Sequence, residues 1–309
     1  MGLFHCPVGA IMCGDEDCIG CGLCSATTVE EKVKATAVIR EWIKEHAQER
    51  NKKTYIYKIA ICGKGGSGKS TLTALVSGAL EEMGYATFIM DTDSSNEGLW
   101  KKLGMPEAPK PLNTLDEKNP ENAWFEANPM VSTNFVEPYV QNNGNRGLIA
   151  IGKISEAMEG DANAMGDYAK EVIRHIVPLD KEIIIADQES GVESFGRGIE
   201  ILCDMVLILV EPSDESIELA AKIQYMAQGL GIKRIRAVLN KVEDEEQEEY
   251  IQERLSDLGV RFLGTISKEK ELQNRNMRGL ELPKELCYQV ANTPVRMMLD
   301  EAQMPYQKP

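Results

Sequence analysis

The sequence predicts an α/β fold: a doubly wound, mostly parallel sheet with helices on both faces, preceded by a small cysteine-rich head. From residue 55 onward, short β-rich apolar runs alternate with helical stretches, as in parallel sheets covered on both faces. Glycine or polar residues follow several of these runs, and parallel strands gather such residues at one edge of the sheet. The head is predicted because five of the eight cysteines lie within the first 24 residues.

Composition and charge exclude several classes of function. A chain of 309 residues can hold one large domain and a small appendage. Its net charge of −15 argues against a non-specific nucleic-acid binder, since such affinity comes mainly from Lys and Arg, and against docking on anionic lipid. No apolar run reaches the roughly 20 residues that span a bilayer, and no signal-peptide pattern is evident. We therefore expect a cytoplasmic protein that binds neither nucleic acid nor membranes.

The head, residues 1–28, carries a metal-binding pattern. Cys18, Cys21 and Cys24 have C-x₂-C-x₂-C spacing, which is typical of three thiolates on one iron–sulfur cluster. In a cytoplasmic protein, clustered cysteines favour metal ligation over disulfides. A zinc site and unliganded thiols are the alternatives.

The head also resembles half of a bacterial two-cluster ferredoxin. Cys6-Pro7 resembles the end of one half, and the segment from Asp17 to Cys24 resembles the start of the other. The resemblance implies one [4Fe–4S] cluster held by Cys18, Cys21, Cys24 and Cys6. Cys13 is the rival fourth ligand, because the Cys6 spacing is short and the usual Cys-Pro after Cys24 is absent.

Residues 29–54 are predicted as an amphipathic linker helix that precedes an ATPase domain at 55–309. Thr28 can cap the helix, and Glu30 and Glu31 are favourably placed in its first turn. Val33 and Ala37 belong to an approximate i, i+4 apolar stripe, so we expect the helix to lie on a partner surface.

A glycine-rich loop follows the first strand of the larger domain and fits G-x-x-x-x-G-K-[ST]. Glycines let backbone N–H groups cradle phosphate oxygens, the helix N-terminus adds its dipole, Lys69 supplies a charge and the Ser70 hydroxyl can ligate Mg²⁺. The sequence therefore predicts a P-loop NTPase. The predicted nucleotide-binding residues of the loop are Gly63, Lys64, Gly65, Gly66, Ser67, Gly68, Lys69, Ser70 and Thr71.

Two aspartates at strand ends complete the predicted phosphate site. The strand over 86–91 leads into Asp91-Thr92-Asp93, which faces the phosphates. Asp187 ends an apolar strand as a Walker-B aspartate does, and the segment after it can move with the γ-phosphate. Asp93 and Asp187 are expected to hold Mg²⁺ directly or through water.

Two further strand ends contribute to the predicted site. Glu211-Pro212 follows the strand over 205–210, and Asn240-Lys241 follows the strand over 234–239. Asn240 and Lys241 suit recognition of the edge of adenine or guanine, so all four residues are predicted to bind nucleotide.

The loop resembles the deviant Walker A motif of the MinD/ParA/nitrogenase-iron-protein class, because Lys64 is a second, early lysine. In that class the early lysine reaches the partner subunit's nucleotide in an ATP-bound dimer. The resemblance implies an ATP-bound homodimer, with Lys64 and Lys69 catalytic, Asp93 orienting the attacking water in switch I and Asp187 in switch II.

Within the class, the segment from Asp187 to Arg197 and the run Val210-Glu211-Pro212-Ser213 look most like CooC-type ATPases. Those proteins serve maturation of nickel–iron–sulfur carbon monoxide dehydrogenase, and relatives serve acetyl-CoA synthase. The resemblance implies ATP/ADP and Mg²⁺ as ligands and a nickel–iron–sulfur client enzyme or redox partner.

Two departures from the family pattern concern metal. The CooC Cys-x-Cys pair is replaced by Asp161-Ala162-Asn163, so a thiolate nickel site is not expected there. Ser194 stands near the position of the nitrogenase iron protein's cluster cysteine. If the protein binds a metal, its ligands are therefore expected in the head.

The predicted function is an ATP-hydrolysing switch in maturation or activation of an anaerobic metalloenzyme. An ATP-gated electron donor and an Mrp-like iron–sulfur carrier are alternative uses of the same parts. A binding module that nucleotide locks without hydrolysis is the alternative from a different class.

Overall fold

A computed structural model describes residues 56–94, 98–115, 130–152, 162–191, 198–229, 234–266 and 268–302, with a few isolated positions elsewhere. Among residues 28–41, Thr28 and Glu31 form a capping box, with Glu31 N–H donating to Thr28 Oγ1 at 3.2 Å and Thr28 N–H to Glu31 Oε2 at 3.0 Å. Ala35 is buried, whereas Val33 is 64% exposed and Ala37 is exposed. The apolar stripe expected of this helix is thus not covered at these two positions.

The described residues contain an eight-stranded sheet in the order β3-β4-β2-β5-β1-β6-β7-β8. All pairs are parallel except β3 with β4, so the predicted doubly wound, mostly parallel sheet is confirmed. The strands are β1 (Lys58–Gly63), β2 (Ala86–Asp91), β3 (Val140–Asn143), β4 (Arg146–Ala150), β5 (Glu182–Asp187), β6 (Met205–Val210), β7 (Ile235–Leu239) and β8 (Arg261–Thr265).

The antiparallel edge strand β3 was not expected from the sequence. Only two of its four residues, Val140 and Gln141, are buried, so it lacks the apolar run that marks the central strands. Gly144, at φ +60°, lies in the turn that joins β3 to β4. The two-residue loop is Gly144-Asn145, and glycine at the first loop position is a common signal for such a hairpin turn.

Seven α-helices of the described part of the chain lie between residues 69 and 301, and no helix of the described residues is long and apolar enough to cross a membrane. They are α1 (Lys69–Glu82), α2 (Leu99–Lys102), α3 (Ala162–His175), α4 (Asp214–Gly229), α5 (Glu245–Asp257), α6 (Lys270–Arg278) and α7 (Lys284–Glu301).

The core divides into two clusters because successive strand side chains point to opposite faces. In β1, Ile59 and Ile61 join a cluster with α1 and α7, whereas Ala60 and Cys62 join a cluster with α3, α4 and α5. Both faces of the central strands are therefore buried, which explains their nearly continuous apolar sequences.

The segment around 100–145 contributes buried side chains in its described parts. Leu103 and Leu112 are fully buried, and Phe135 packs on Phe88 of β2 with ring centroids 5.0 Å apart. These parts belong to the core.

The P-loop helix α1 packs closely on the last helix, α7. A Cβ atom placed on Gly78 of α1 would lie 2.6 Å from Sγ and 2.7 Å from Cβ of Cys287 in α7. Because Gly78 has no side chain, the two helices can approach each other this closely.

Replacing Gly78 with Ala should destabilise the fold by about 1–3 kcal/mol, since overpacking outweighs the roughly 1 kcal/mol gain in helix propensity. Chemical denaturation of the full chain measures this change. Gly229→Ala is the matched control, because a Cβ there meets nothing within 4 Å. Equal stability of the two variants would contradict the proposed contact.

Candidate nucleotide-binding site

The glycine-rich loop has the backbone geometry that a phosphate cradle needs. Gly63, Gly66 and Gly68 have φ values of +145°, +76° and +104°, which L side chains rarely adopt. A Cβ on Gly63 would lie 2.6 Å from the carbonyl oxygen of Leu209 in β6. The loop can leave the sheet at this point only because residue 63 has no side chain.

The N-terminus of α1 is left open for an anion. Gly68 precedes the helix in a left-handed conformation, no side chain caps the helix, and its first turn has no acidic residue. By contrast, α5 is capped by Asp244 and has three glutamates in its first turn. The N–H groups and dipole of α1 therefore have no negative partner of this kind in the described structure, as a phosphate site requires.

Asn240 and Lys241 brace the loop from outside. Asn240 Nδ2 donates to the Ser67 carbonyl at 2.8 Å, and Lys241 Nζ donates to the Gly66 carbonyl at 2.8 Å. Lys241 adopts φ +62°, which is uncommon for a residue with a side chain. The polar nitrogens of both residues thus hold the loop, and the Asn240 amide oxygen remains the acceptor suited to an exocyclic amino group such as that of adenine.

Lys69 and Ser67 lie inside the loop. Lys69 is 7% exposed, and its Nζ donates to the Lys64 carbonyl at 3.3 Å. The Ser67 hydroxyl is fully buried and has no hydrogen-bond partner. The ammonium group of Lys69 therefore lies at the centre of the loop.

The two predicted strand-end sites meet because β2 and β5 are neighbours. Their parallel register places Asp91 directly beside Asp187. Burial raises the pKa of Asp187 to about 7, and the Asp91 carboxylate adds to the shift, while the Ser70 hydroxyl and the Lys69 ammonium oppose it. Asp93 lies just beyond, with its N–H donating to Asp91 Oδ1 at 3.2 Å.

The surroundings of Asp187 fit a magnesium ion. Its side chain is 1% exposed, and although the Ser70 hydroxyl is near enough to affect its pKa, neither carboxylate oxygen receives a hydrogen bond of normal geometry. A buried carboxylate in this condition is costly without a cation. Carboxylate and hydroxyl oxygens are also the hard ligands that Mg²⁺ prefers.

The loops after β2 and β5 are tied to each other. Thr92 donates to the Asp187 carbonyl through its N–H at 3.1 Å and its hydroxyl at 2.8 Å. The Ser94 hydroxyl donates to Glu189 Oε1 at 2.6 Å. Gln188, between these contacts, is 1% exposed, and neither atom of its amide has a partner. The predicted switch I and switch II segments therefore form one connected unit.

Lys64 lies away from the cradle, on two acidic side chains of its own subunit. Its Nζ is 3.2 Å from Glu215 Oε2 and 3.6 Å from Glu211 Oε1. Glu211 was predicted to bind nucleotide, whereas its oxygens here contact Lys64 and Lys241. Pro212 lies next to it at the start of the turn into α4.

Sequence reasoning missed a polar group behind the loop. The Asn276 amide oxygen of α6 accepts from Thr71 Oγ1 at 3.3 Å and from Lys102 Nζ at 2.6 Å. Partial burial lowers the pKa of Lys102, while nearby Asp187 opposes that shift. Glu215 was also missed. No motif signals these contacts, since their partners are distant in the sequence.

The predicted cluster ligands Cys6, Cys13, Cys18, Cys21 and Cys24 lie outside the described residues, as does Asp161. The remaining cysteines, Cys62, Cys203 and Cys287, are buried and free, as expected for small core residues. Burial raises the pKa of each thiol. Within the described ranges, no group of three His, Cys, Asp or Glu side chains could hold a metal ion.

Residues 58–282 match the family described as the CobQ/CobB/MinD/ParA nucleotide binding domain. The chain belongs to this family. It is a P-loop ATPase of the MinD/ParA class, as its second lysine predicted.

Known proteins similar to this ATPase cover most of its length. An uncharacterised ATP-binding protein of Methanocaldococcus jannaschii is 35% identical over 242 residues, covering 74% of this chain and 95% of the relative. The carbon monoxide dehydrogenase accessory protein CooC of Rhodospirillum rubrum is 28% identical over 246 residues, covering 76% of this chain and 90% of CooC.

Solved structures support the fold of the ATPase. The septum site-determining protein MinD of Pyrococcus horikoshii, complexed with Mg-ADP, has a TM-score of 0.56 at 17% identity, covering 79% of this chain and 95% of MinD. The MinD cell division protein of Aquifex aeolicus has a TM-score of 0.54 at 20% identity, covering 82% of this chain and 100% of that protein's chain.

Asp187→Asn should stabilise the nucleotide-free ATPase by about 1–3 kcal/mol at pH 8, because the folded protein then no longer buries an ionised carboxylate. The pKa of about 7 lies above the usual 3.8, so the folded wild type binds more protons than the unfolded chain between these values. Wild-type stability should therefore fall as pH rises through this window, relative to the variant.

Denaturant unfolding of both proteins in a metal chelator, from pH 4.5 to 8, measures the difference. The two curves share every other titrating group, so their separation isolates Asp187. If the difference in unfolding free energy between the two proteins does not grow with pH, the raised pKa of Asp187 in the folded protein is contradicted.

Proposed function

We propose that this ATPase is a dimeric, ATP-driven switch with a [4Fe–4S] cluster on its amino-terminal head. Its client is an anaerobic nickel–iron–sulfur enzyme of the carbon monoxide dehydrogenase/acetyl-CoA synthase kind, on which it acts in metal insertion or activation. The protein works in the cytoplasm, without nucleic acid or membrane.

The position of Lys64 is the observation that carries the proposal. Lys69 alone occupies the centre of the loop, with its Nζ on the Lys64 carbonyl, whereas the Lys64 ammonium lies at the rim on Glu211 and Glu215. A lysine that lies outside its own phosphate cradle supports a role on a nucleotide bound by another subunit. This supports a catalytic group supplied between subunits, as an arginine finger is.

The residues of the site have separate roles in the proposed hydrolysis of ATP. Bound Mg²⁺ neutralises charge on the phosphates, and Ser70 and Asp187 would hold it. Lys69 and the N–H groups of the loop bind the phosphate oxygens, and Asp93 orients the water that attacks the γ-phosphorus as the bond to the β-phosphate oxygen breaks. Asn240 accepts from the adenine amino group.

The proposed client rests on the similarity to CooC, a carbon monoxide dehydrogenase accessory protein, over 76% of this chain. The head supports a use in iron–sulfur chemistry, since its C-x₂-C-x₂-C spacing matches cluster ligation. Cys18, Cys21, Cys24 and Cys6, with Cys13 as rival, are the proposed ligands.

Lys64→Ala should abolish ATP-dependent dimerisation and lower kcat for ATP hydrolysis by about 100-fold or more, since a trans-acting cation stabilises the transition-state charge. Sedimentation velocity with and without Mg-ATP and a phosphate-release assay measure the two effects. Lys222→Ala, an exposed lysine of α4, is the matched control. Wild-type dimerisation and turnover in Lys64→Ala would refute the dimeric switch.

Anaerobically purified protein should contain about four iron and four sulfide ions per chain, and Cys21→Ala should lose them. Metal and sulfide analysis measures the content. Cys287→Ala is the control, because this cysteine is fully buried beside α1 and should not affect a cluster on the head. Zinc without sulfide would show that the head holds a zinc site instead.

A further inference from the structure

An ion-pair network holds Lys64 on its own subunit. Lys64 Nζ lies 3.2 Å from Glu215 Oε2 and 3.6 Å from Glu211 Oε1. Glu211 precedes the helix α4, and Glu215 lies in its first turn. The pKa of Lys64 is raised, first by its hydrogen bond to Glu215, and the pKa of Glu215 is lowered by the same bond. The raised pKa of Lys64 and the lowered pKa of Glu215 both indicate that their charged side chains attract each other.

The network has one member that is tied to the loop and one member that is largely exposed. Glu211 has a side chain only 17% exposed, and its second oxygen lies 2.9 Å from Lys241 Nζ, which also donates to the Gly66 carbonyl at 2.8 Å. Glu211 is therefore tied to the loop itself. The side chain of Glu215 is 77% exposed, and only its contact with Lys64 holds it to the loop in the described structure.

These contacts compete with the task proposed for Lys64. The two carboxylates of its own chain and the phosphates of a nucleotide in another subunit compete for the Lys64 ammonium group. When Lys64 moves to those phosphates, its contacts with Glu211 and Glu215 are weakened or lost. The triphosphate supplies more negative charge than these partly exposed carboxylates, whose ion pairs are individually weak.

We propose that Glu211 and Glu215 form an autoinhibitory latch, which keeps Lys64 on its own subunit until the triphosphate of a second subunit attracts it away. This inference rests on the proposed function, in which Lys64 acts across a dimer. The latch sets the concentration of ATP-bound protein at which dimers form, so a weaker latch gives a lower threshold. Glu211 remains on Lys241 when Lys64 leaves, so the loop keeps its brace in both states.

The test uses the full chain and the variant Glu215→Gln. Glu218→Gln is the matched control, because it removes the same charge from an exposed position of α4 that makes no ion pair with Lys64. In the nucleotide-free protein, the rate at which an N-hydroxysuccinimide ester acylates Lys64 is followed by mass spectrometry of the peptide. With Mg-ATP, the dimer dissociation constant is measured by sedimentation.

We expect Glu215→Gln to speed acylation of Lys64 about two- to fivefold and to lower the dimer dissociation constant by a similar factor, as loss of one exposed ion pair allows. The control should match the wild type in both. An unchanged acylation rate would overturn the latch, because Glu215 would then not hold Lys64. Faster acylation with weaker dimers would also overturn it, because Glu215 would then support the interface.

The same data separate failure of the latch from failure of the proposed function. If Lys64→Ala dimerises and turns over like the wild type, the dimeric switch is refuted, and the latch loses its role even where acylation is faster. If Lys64→Ala is inactive and Glu215→Gln matches its control, only the latch is refuted.

Discussion

The close approach of the loop to β6 is the constraint on which the rest of the nucleotide edge depends. At Gly63 the chain lies against the Leu209 carbonyl with no room for a Cβ atom. This contact fixes the point at which β1 ends and the direction in which the loop turns toward α1. Every later group is placed relative to that turn, from the Asn240 amide on the Ser67 carbonyl to the hydrogen bond between Gly191 N–H and the Gly63 carbonyl.

Stability and function oppose each other at the end of β5. Asp187 and Gln188 are both buried, and neither side chain has a hydrogen-bond partner of normal geometry. Such groups cost roughly 1–3 kcal/mol each, more when charged. The surrounding fold tolerates this cost because the two packed core clusters fix β5 between β1 and β2. A site that binds a cation strongly is often poorly satisfied without it.

Most of the fold and the centre of the site could be predicted from the sequence, because both depend on local patterns. The continuous apolar runs of β5 and β6 identify buried parallel strands, and the glycines and lysines of residues 63–69 identify the loop. The edge strand β3 was missed because its Gln141-Asn142-Asn143 sequence has no apolar run. The loop's outer contacts were missed because they join residues far apart: Lys64 and Glu215 are separated by 151 positions, and Thr71 and Asn276 by 205. Such pairings follow from the three-dimensional packing of α4 and α6, which periodicity does not reveal.

The contacts between the loops after β2 and β5 have a thermodynamic consequence. Thr92 and Ser94 bond to the backbone and side chain of the segment that carries Asp187 and Glu189. A protein that binds one of these loops therefore acts on both, since neither can move without breaking hydrogen bonds to the other. Binding free energies are reciprocal, so whatever bound nucleotide does to a client's affinity, the client must do equally to the affinity for nucleotide. In the switch that we propose, the hydroxyl groups of Thr92 and Ser94 thus couple nucleotide binding and client binding in both directions.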